Sequence, residues 1–268
     1  MNLASLPMYD LPELAPATDA WWRALARALR AEGIFDLPEA PARAESFDSL
    51  WARPELLFSQ TCGYPLTHRF RDALLYVATP CYAAEGCQGP NYRSALVVRA
   101  GDAARGLGDL RGRRCAINSD HSHSGYNVLR AMVAPLAGGG AFFGRVLVSG
   151  GHCPSMAMVG EGKADIAAVD CVTLALASRH RPALTAALRV LAWSPPAPAL
   201  PYVTARGRGE DMRRRLRAAL GAALADPAAA EARQALLIRG IEFLPDGAYD
   251  AIDAFEAEAV AAGYPALR

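Results

Sequence analysis

At 268 residues, with 52% hydrophobic and 21% charged residues, the chain is long enough to bury a large core, either as one big domain or as two of ordinary size. Its formal net charge of +1 at pH 7 gives no electrostatic reason to expect a nucleic acid or an anionic membrane as partner. No apolar run approaches the roughly 20 residues that span a bilayer, so no membrane insertion is expected.

Residues 1–8 lack a basic start followed by a long apolar core and do not read as a signal peptide. The expected location is periplasmic if such a segment has been removed, and cytoplasmic if Met1 is the native start. Residues 3–8 read as a first strand that ends at Tyr9 and Asp10. Thr18 is placed to cap a helix over about 19–32, with Trp22, Leu25, Ala26 and Leu29 on one face and Gly33 at its end. Apolar runs at 56–59, 73–78 and 94–98 read as strands, the first of them leading into the polar turn 60–64.

The most informative stretch is 113–127. Residues 115–118 are apolar and strand-like, 119–125 are rich in hydroxyls, imidazoles and glycine, and 128–136 have apolar residues at helical spacing. A strand, a Gly-containing turn and a helix in that order direct backbone N–H groups and the positive end of a helix dipole at one spot, which suits an anion. Ser122 and Ser124 add hydroxyl donors there, and Gly125 allows close approach of the backbone. The plainer role for one such serine is a helix cap; two serines and two histidines in four residues tilt the reading towards a ligand.

Further strands are expected at 143–148, 164–170, 188–193 and 202–204. A helix carrying Leu216, Leu220 and Leu224, another over 228–238, and a last one over about 247–262 behind an Asp246 cap complete the chain. The alternation predicts an α/β fold with mostly parallel sheets. Polar turns follow strands at Tyr9-Asp10, 60–64, 118–124, 149–155 and 170–171, and the carboxyl ends of strands are where open α/β sheets bind ligands.

Asp120, His121, His123, His152 and Cys153 are of types that bind transition metals, but no fixed metal spacing is present, so neither a metal site nor a cofactor is expected. No Gly-x-Ser-x-Gly elbow occurs, and no residue is assigned a catalytic role. Of the six cysteines, Cys81 and Cys87 flank a short loop containing Gly86 and are expected to lie close enough to pair. Cys115 and Cys171 sit in or beside apolar runs and read as small buried hydrophobes.

The ordered block from Asp109-Leu-Arg-Gly112 through Ser122-His-Ser-Gly125 and Gly151-His152 to Ala164-Asp-Ile-Ala-Ala-Val-Asp170 resembles the phosphate/phosphite/phosphonate-binding proteins of ABC uptake systems. The stretches 92–98 and 200–203 extend the resemblance more loosely over most of the chain. The resemblance implies a two-lobed α/β fold of the type II periplasmic binding-protein kind, with an interlobe cleft. Lobe one would be 1–97 plus 200–268 and lobe two 98–199. It implies that Ser122, His123, Ser124 and Gly125 hold a phosphorus oxyanion, that His152 and Asp170 face the ligand, and that Tyr9, Gln60, Thr61 and Tyr64 close over it. His123 stands where a small hydroxyl residue is common in that family. The expected function is binding of a small anionic ligand, a phosphorus oxyanion or phosphonate, as the solute-binding component of an uptake system, with an ABC transporter permease as partner and no enzymatic activity. A cytosolic ligand sensor, or an enzyme of thiamin-precursor-type metabolism on the same fold, are the alternatives.

Overall fold

The computed structural model describes residues 2–43 and 46–268. Its strands are β1 (Leu3–Ser5), β2 (Leu56–Gln60), β3 (Leu74–Tyr82), β4 (Asn91–Tyr92), β5 (Ser94–Arg99), β6 (Arg114–Ile117), β7 (Arg145–Val148), β8 (Ile166–Asp170), β9 (Leu188–Trp193), β10 (Ala197–Pro198), β11 (Tyr202–Ala205) and β12 (Ile238–Glu242). The helices are α1 (Ala15–Ala31), α2 (Phe47–Trp51), α3 (Gly63–Thr67), α4 (Val128–Ala137), α5 (His152–Gly160), α6 (Cys171–His180), α7 (Pro182–Ala186), α8 (Gly209–Ala225), α9 (Ala230–Ala235) and α10 (Asp250–Ala261). The chain forms two compact units. Unit 1 comprises Met1–Ala83, Gln88–Pro90 and Pro198–Ala248; unit 2 comprises Ala84–Cys87, Asn91–Ala197 and Tyr249–Arg268.

Unit 1 is built on a sheet of order β1-β2-β11-β3-β12. The apolar residues Trp21, Trp22, Leu25 and Leu29 recur at helical spacing, so α1 buries one face, and Trp22 stacks 6.5 Å from Phe58 of β2. The helix begins earlier than expected because the turn Pro12–Leu14 and Pro16 start it, prolines being well suited to a first turn. Thr18 therefore lies inside α1 rather than capping it, and its Oγ1 is buried without a hydrogen-bond partner.

Unit 2 is built on a sheet of order β7-β6-β8-β5-β9. Successive strand residues point to opposite faces, and the sequence fills both with apolar side chains. Leu96, Val98, Cys115, Ile117, Ile166 and Ala168 join Leu129 and Val133 of α4 on one face. Ala95, Val97, Ala116, Ala167 and Val169 join Met156 and Val159 of α5 on the other. Gly138 ends α4 in the left-handed conformation, φ 65°, as the Gly138-Gly139-Gly140 run leads one to expect.

Four features depart from the sequence reading. The sheets are mixed rather than mostly parallel: β1 with β2, β6 with β7 and β6 with β8 are parallel, whereas β11 runs against β2 and β3, β12 against β3, and β5 against β8 and β9. β5 and β11 directly follow passages of the chain from one unit to the other, and they enter their sheets without a covering crossover helix. Residues 84–87, 91–97 and 249–268, expected in lobe one, belong to unit 2, with β5 between β8 and β9 and α10 packed on α4, while 198–199, expected in lobe two, belong to unit 1. The expected helix 228–238 is the short α9 followed by β12; Leu237, at φ 61°, turns the chain between them. Lastly, Cys87 faces Cys171, Sγ to Sγ 3.4 Å, whereas Cys81 Sγ lies 3.8 Å from Glu242 Oε1.

Candidate ligand-binding site

The turn after β6 is held by its own side chains. Ser122 has extended backbone and its Oγ accepts from Gly125 N–H at 3.1 Å and from Asn118 Nδ2 at 3.0 Å. The backbone then makes a π-helical turn over His123–Asn127, with Asn127 N–H donating to Ser122 O at 3.0 Å, before α4 begins. A Cβ on Gly125 would lie 1.8 Å from Asn118 Oδ1 and 3.3 Å from His152 Cε1, so only glycine admits this packing. Asn118 Oδ1 is buried there without a hydrogen-bond partner.

The turn after β7 lies against the first one. Ser149 N–H donates to Ile117 O at 2.8 Å and Gly150 N–H to Asn118 O at 3.1 Å, which seats His152 at the start of α5. His152 Nε2 is 2.9 Å from Ser124 Oγ, and Ser124 Oγ is 3.4 Å from Ser122 Oγ. Ser122, Ser124, Gly125 and His152 are thus one cluster, linked as a chain from Asn118 through both hydroxyls to the imidazole. Asp170 ends β8, which packs against the same turn. Its Oδ1 accepts from the backbone N–H groups of Val172 at 2.8 Å and Thr173 at 3.0 Å, so it caps α6.

His123 stands apart from that cluster, although the sequence reading grouped it with the serines. Its ring is 5.1 Å from Phe255, edge-on, and 6.3 Å from Tyr92, and Asn127 Nδ2 lies 3.2 Å from its Nδ1. What His123 contributes to the turn is its backbone. Burial pulls its pKa down to about 3. His152 is also lowered, to about 4, by burial, with the Ala168 backbone opposing. Part of His152 reaches solvent, but Nδ1 is buried without a hydrogen bond of ordinary geometry. Both imidazoles are neutral at pH 7, so the cluster offers dipoles and hydroxyls rather than an imidazolium.

The unit 1 candidates form their own arrangement. Tyr9 meets Tyr82 edge-on at 5.1 Å, and Gln60 Nε2 donates to Tyr82 Oη at 2.8 Å and to Leu200 O at 3.0 Å. Tyr9 and Gln60 line a pocket with Trp21, Tyr82 and Tyr202. Thr61 and Tyr64 are outside that lining: Thr61 Oγ1 donates to Cys62 O at 3.3 Å, and Tyr64 stacks on His68 at 3.9 Å. Sequence reasoning passed over Asn118 and Tyr82. Asn118 ends the strand next to the serines, which was a usable signal; nothing in the order of residues pointed to Tyr82.

Among the described residues no group of three or more His, Cys, Asp or Glu is arranged to hold a metal ion. Nor is any described helix long and apolar enough to cross a membrane.

The family model described as the periplasmic substrate-binding protein of phosphonate ABC transporters matches residues 55–249, more than half of the chain. Several solved structures share the fold. A binding-protein component of an ABC phosphonate transporter from Pseudomonas aeruginosa superposes with a TM-score of 0.77 at 15% identity, covering 97% of this chain and 87% of that one. A Xanthomonas citri protein bound to chloride ion gives 0.74 at 17% identity, covering 97% and 98%. PhnD1 from Prochlorococcus marinus in complex with methylphosphonate gives 0.72 at 14% identity, covering 96% and 97%. No curated protein sequence matches the chain.

Proposed function

The chain belongs to the periplasmic substrate-binding proteins of phosphonate ABC transporters, and from that premise we propose that its Ser122–Ser124–His152 cluster binds the oxyanion of a phosphonate or related phosphorus compound for delivery to an ABC permease. The carrying observation is the linked chain of Asn118 Nδ2, Ser122 Oγ, Ser124 Oγ and His152 Nε2 at the mouth of a π-helical turn. Ser122 Oγ already accepts two hydrogen bonds, so its proton is available to a third group. Without ligand, that proton serves Ser124, and Ser124 in turn serves an unprotonated Nε2. An arriving anion reverses the chain. With the imidazole proton on Nε2, His152 donates to Ser124, and both hydroxyls donate to the anion. Hydrogen bonds to a charged group contribute about 1.5–3 kcal/mol each, net of the water contacts they replace.

Asp170 would repel a bare oxyanion, which favours a ligand carrying a donor or cationic group, such as an aminoalkylphosphonate. Tyr9, Gln60, Thr61 and Tyr64 are proposed, on family likeness, to contribute further ligand contacts. The chain acts by binding without turnover, outside the cytoplasm as its family does.

Calorimetry of methylphosphonate, an aminoalkylphosphonate, phosphite, phosphate and sulfate tests this reading. For the tightest of these, Ser124→Ala should weaken affinity at least tenfold, and the Ser122→Ala/Ser124→Ala pair more, with some stability lost because Ser122 also caps the turn. The bound compound should be recovered chemically unchanged. Unaltered affinity in the double variant would place the site elsewhere.

A further inference from the structure

We propose that Cys87 and Cys171 form a disulfide when the protein meets a low-molecular-weight disulfide, fastening residues 84–87 to the first turn of α6. The two thiols lie 84 positions apart in sequence, yet their Sγ atoms are 3.4 Å apart. Both backbones are anchored by hydrogen bonds. Cys171 N–H donates to Arg93 O at 3.1 Å and Cys87 N–H to Ala84 O at 3.0 Å. Between those anchors Gly86 adopts φ +91°, and a Cβ there would come within 2.9 Å of the Trp193 ring and 3.1 Å of Cys171 Cβ. The loop therefore lies directly against α6 and Trp193 through its glycine, independently of the thiols. Small side-chain rotations bring the sulfurs to the bonded distance of about 2.05 Å.

The exchange is balanced. Cys87 is partly exposed and Cys171 is buried, so the small disulfide meets Cys87 first. The Cys87 thiolate attacks one of its sulfurs, forming a mixed disulfide and releasing one thiol. Cys171 then loses its proton and attacks the Cys87 sulfur, which releases the second thiol. Two protein thiols are oxidised by two electrons, and one small disulfide is reduced to two thiols. The hydrogen bond to Cys87, and then burial, push the Cys171 thiol up, which fits its taking the second step. Disulfides of this kind persist in oxidising compartments. The proposal does not depend on the ligand: Cys171 follows the α6 cap Asp170, whatever Asp170 binds.

The test uses the full chain treated with oxidised glutathione, alkylated, digested without reductant and mapped by mass spectrometry. The expected product is one peptide pair joining Cys87 to Cys171, absent from Cys87→Ser, with the oxidised protein unfolding at a higher temperature than the reduced one. Recovery of both cysteines alkylated, or of Cys87 joined to Cys81, would overturn the pairing. Equal unfolding temperatures of the two redox forms would overturn the fastening. The wild-type map decides the pairing even if the variant fails to fold.

Discussion

A histidine held neutral inside a core ties stability to pH. His123 has a folded-state pKa of about 3, against an ordinary value near 6.5. Above pH 6.5 both folded and unfolded forms are neutral there and nothing changes. As pH falls below 6.5 the unfolded chain takes up a proton that the folded one refuses, so stability declines until about pH 3, by at most about 1.4 kcal/mol per pH unit. His123→Leu should flatten the decline of the urea midpoint between about pH 6.5 and 5; an unaltered slope would mean that the ring titrates freely. Gly125 makes a second prediction. Gly125→Ala drives a methyl into the Asn118 amide and should cost about 1–3 kcal/mol by overpacking. Adding Asn118→Ala should recover part of that loss, so the two changes should be non-additive in chemical denaturation. The serines and His152 were legible as a group because hydroxyls and an imidazole followed strands in the right order. The direction of His123 was not. Ser122 sits in extended backbone and Ser124 in the turn beyond it, which brings their hydroxyls to 3.4 Å and sends the intervening side chain to the opposite side.

At the scale of an element, α6 shows why a carboxylate at a strand end has two readings. Asp170 caps the helix through Oδ1, a task that an asparagine oxygen performs equally well. Asp170→Asn should leave stability within a few tenths of a kcal/mol, whereas Asp170→Ala should lose about 0.5–2 kcal/mol. If the carboxylate also meets a cationic ligand group, Asp170→Asn should weaken an aminoalkylphosphonate and not methylphosphonate, and paired denaturation and calorimetry separate the two roles. The buried parts of β6 and β8 were readable from sequence because both faces are covered and 115–117 and 166–169 are continuously apolar. β12 was not, since Leu236, Leu237 and Ile238 continue the apolar spacing of α9 and only the left-handed Leu237 breaks it. A β-branched or leucine residue gives no sequence warning of such a conformation.

For the whole molecule, the order of weak motifs along the chain carried the family, which no single motif would have done. What that order hid is how the chain is shared between the units. Ile252, Ala259, Tyr264 and Leu267 are buried within unit 2, Asn127 Nδ2 donates to Ile252 O at 3.0 Å, and buried Arg130 reaches Pro265 O at 2.7 Å and Glu256 at 3.2 Å. A chain ending at Ala248 loses these partners. Fully burying a large apolar side chain contributes about 1.5–3 kcal/mol, so the loss should exceed about 4 kcal/mol and should appear in circular dichroism as early melting. The same arrangement sets a timetable for synthesis. A growing chain emerges from the ribosome at about 5–20 residues per second and tends to fold unit by unit as it appears. Here the first unit waits for β11, α8 and β12, by which time every strand of the second has already emerged. The α4 layer over that second sheet must then stand without its α10 cover until residues 249–268 are translated. Neither half is finished before nearly all of this sequence has been made, so the uncovered side of α4 is the nascent chain's point of need for a chaperone.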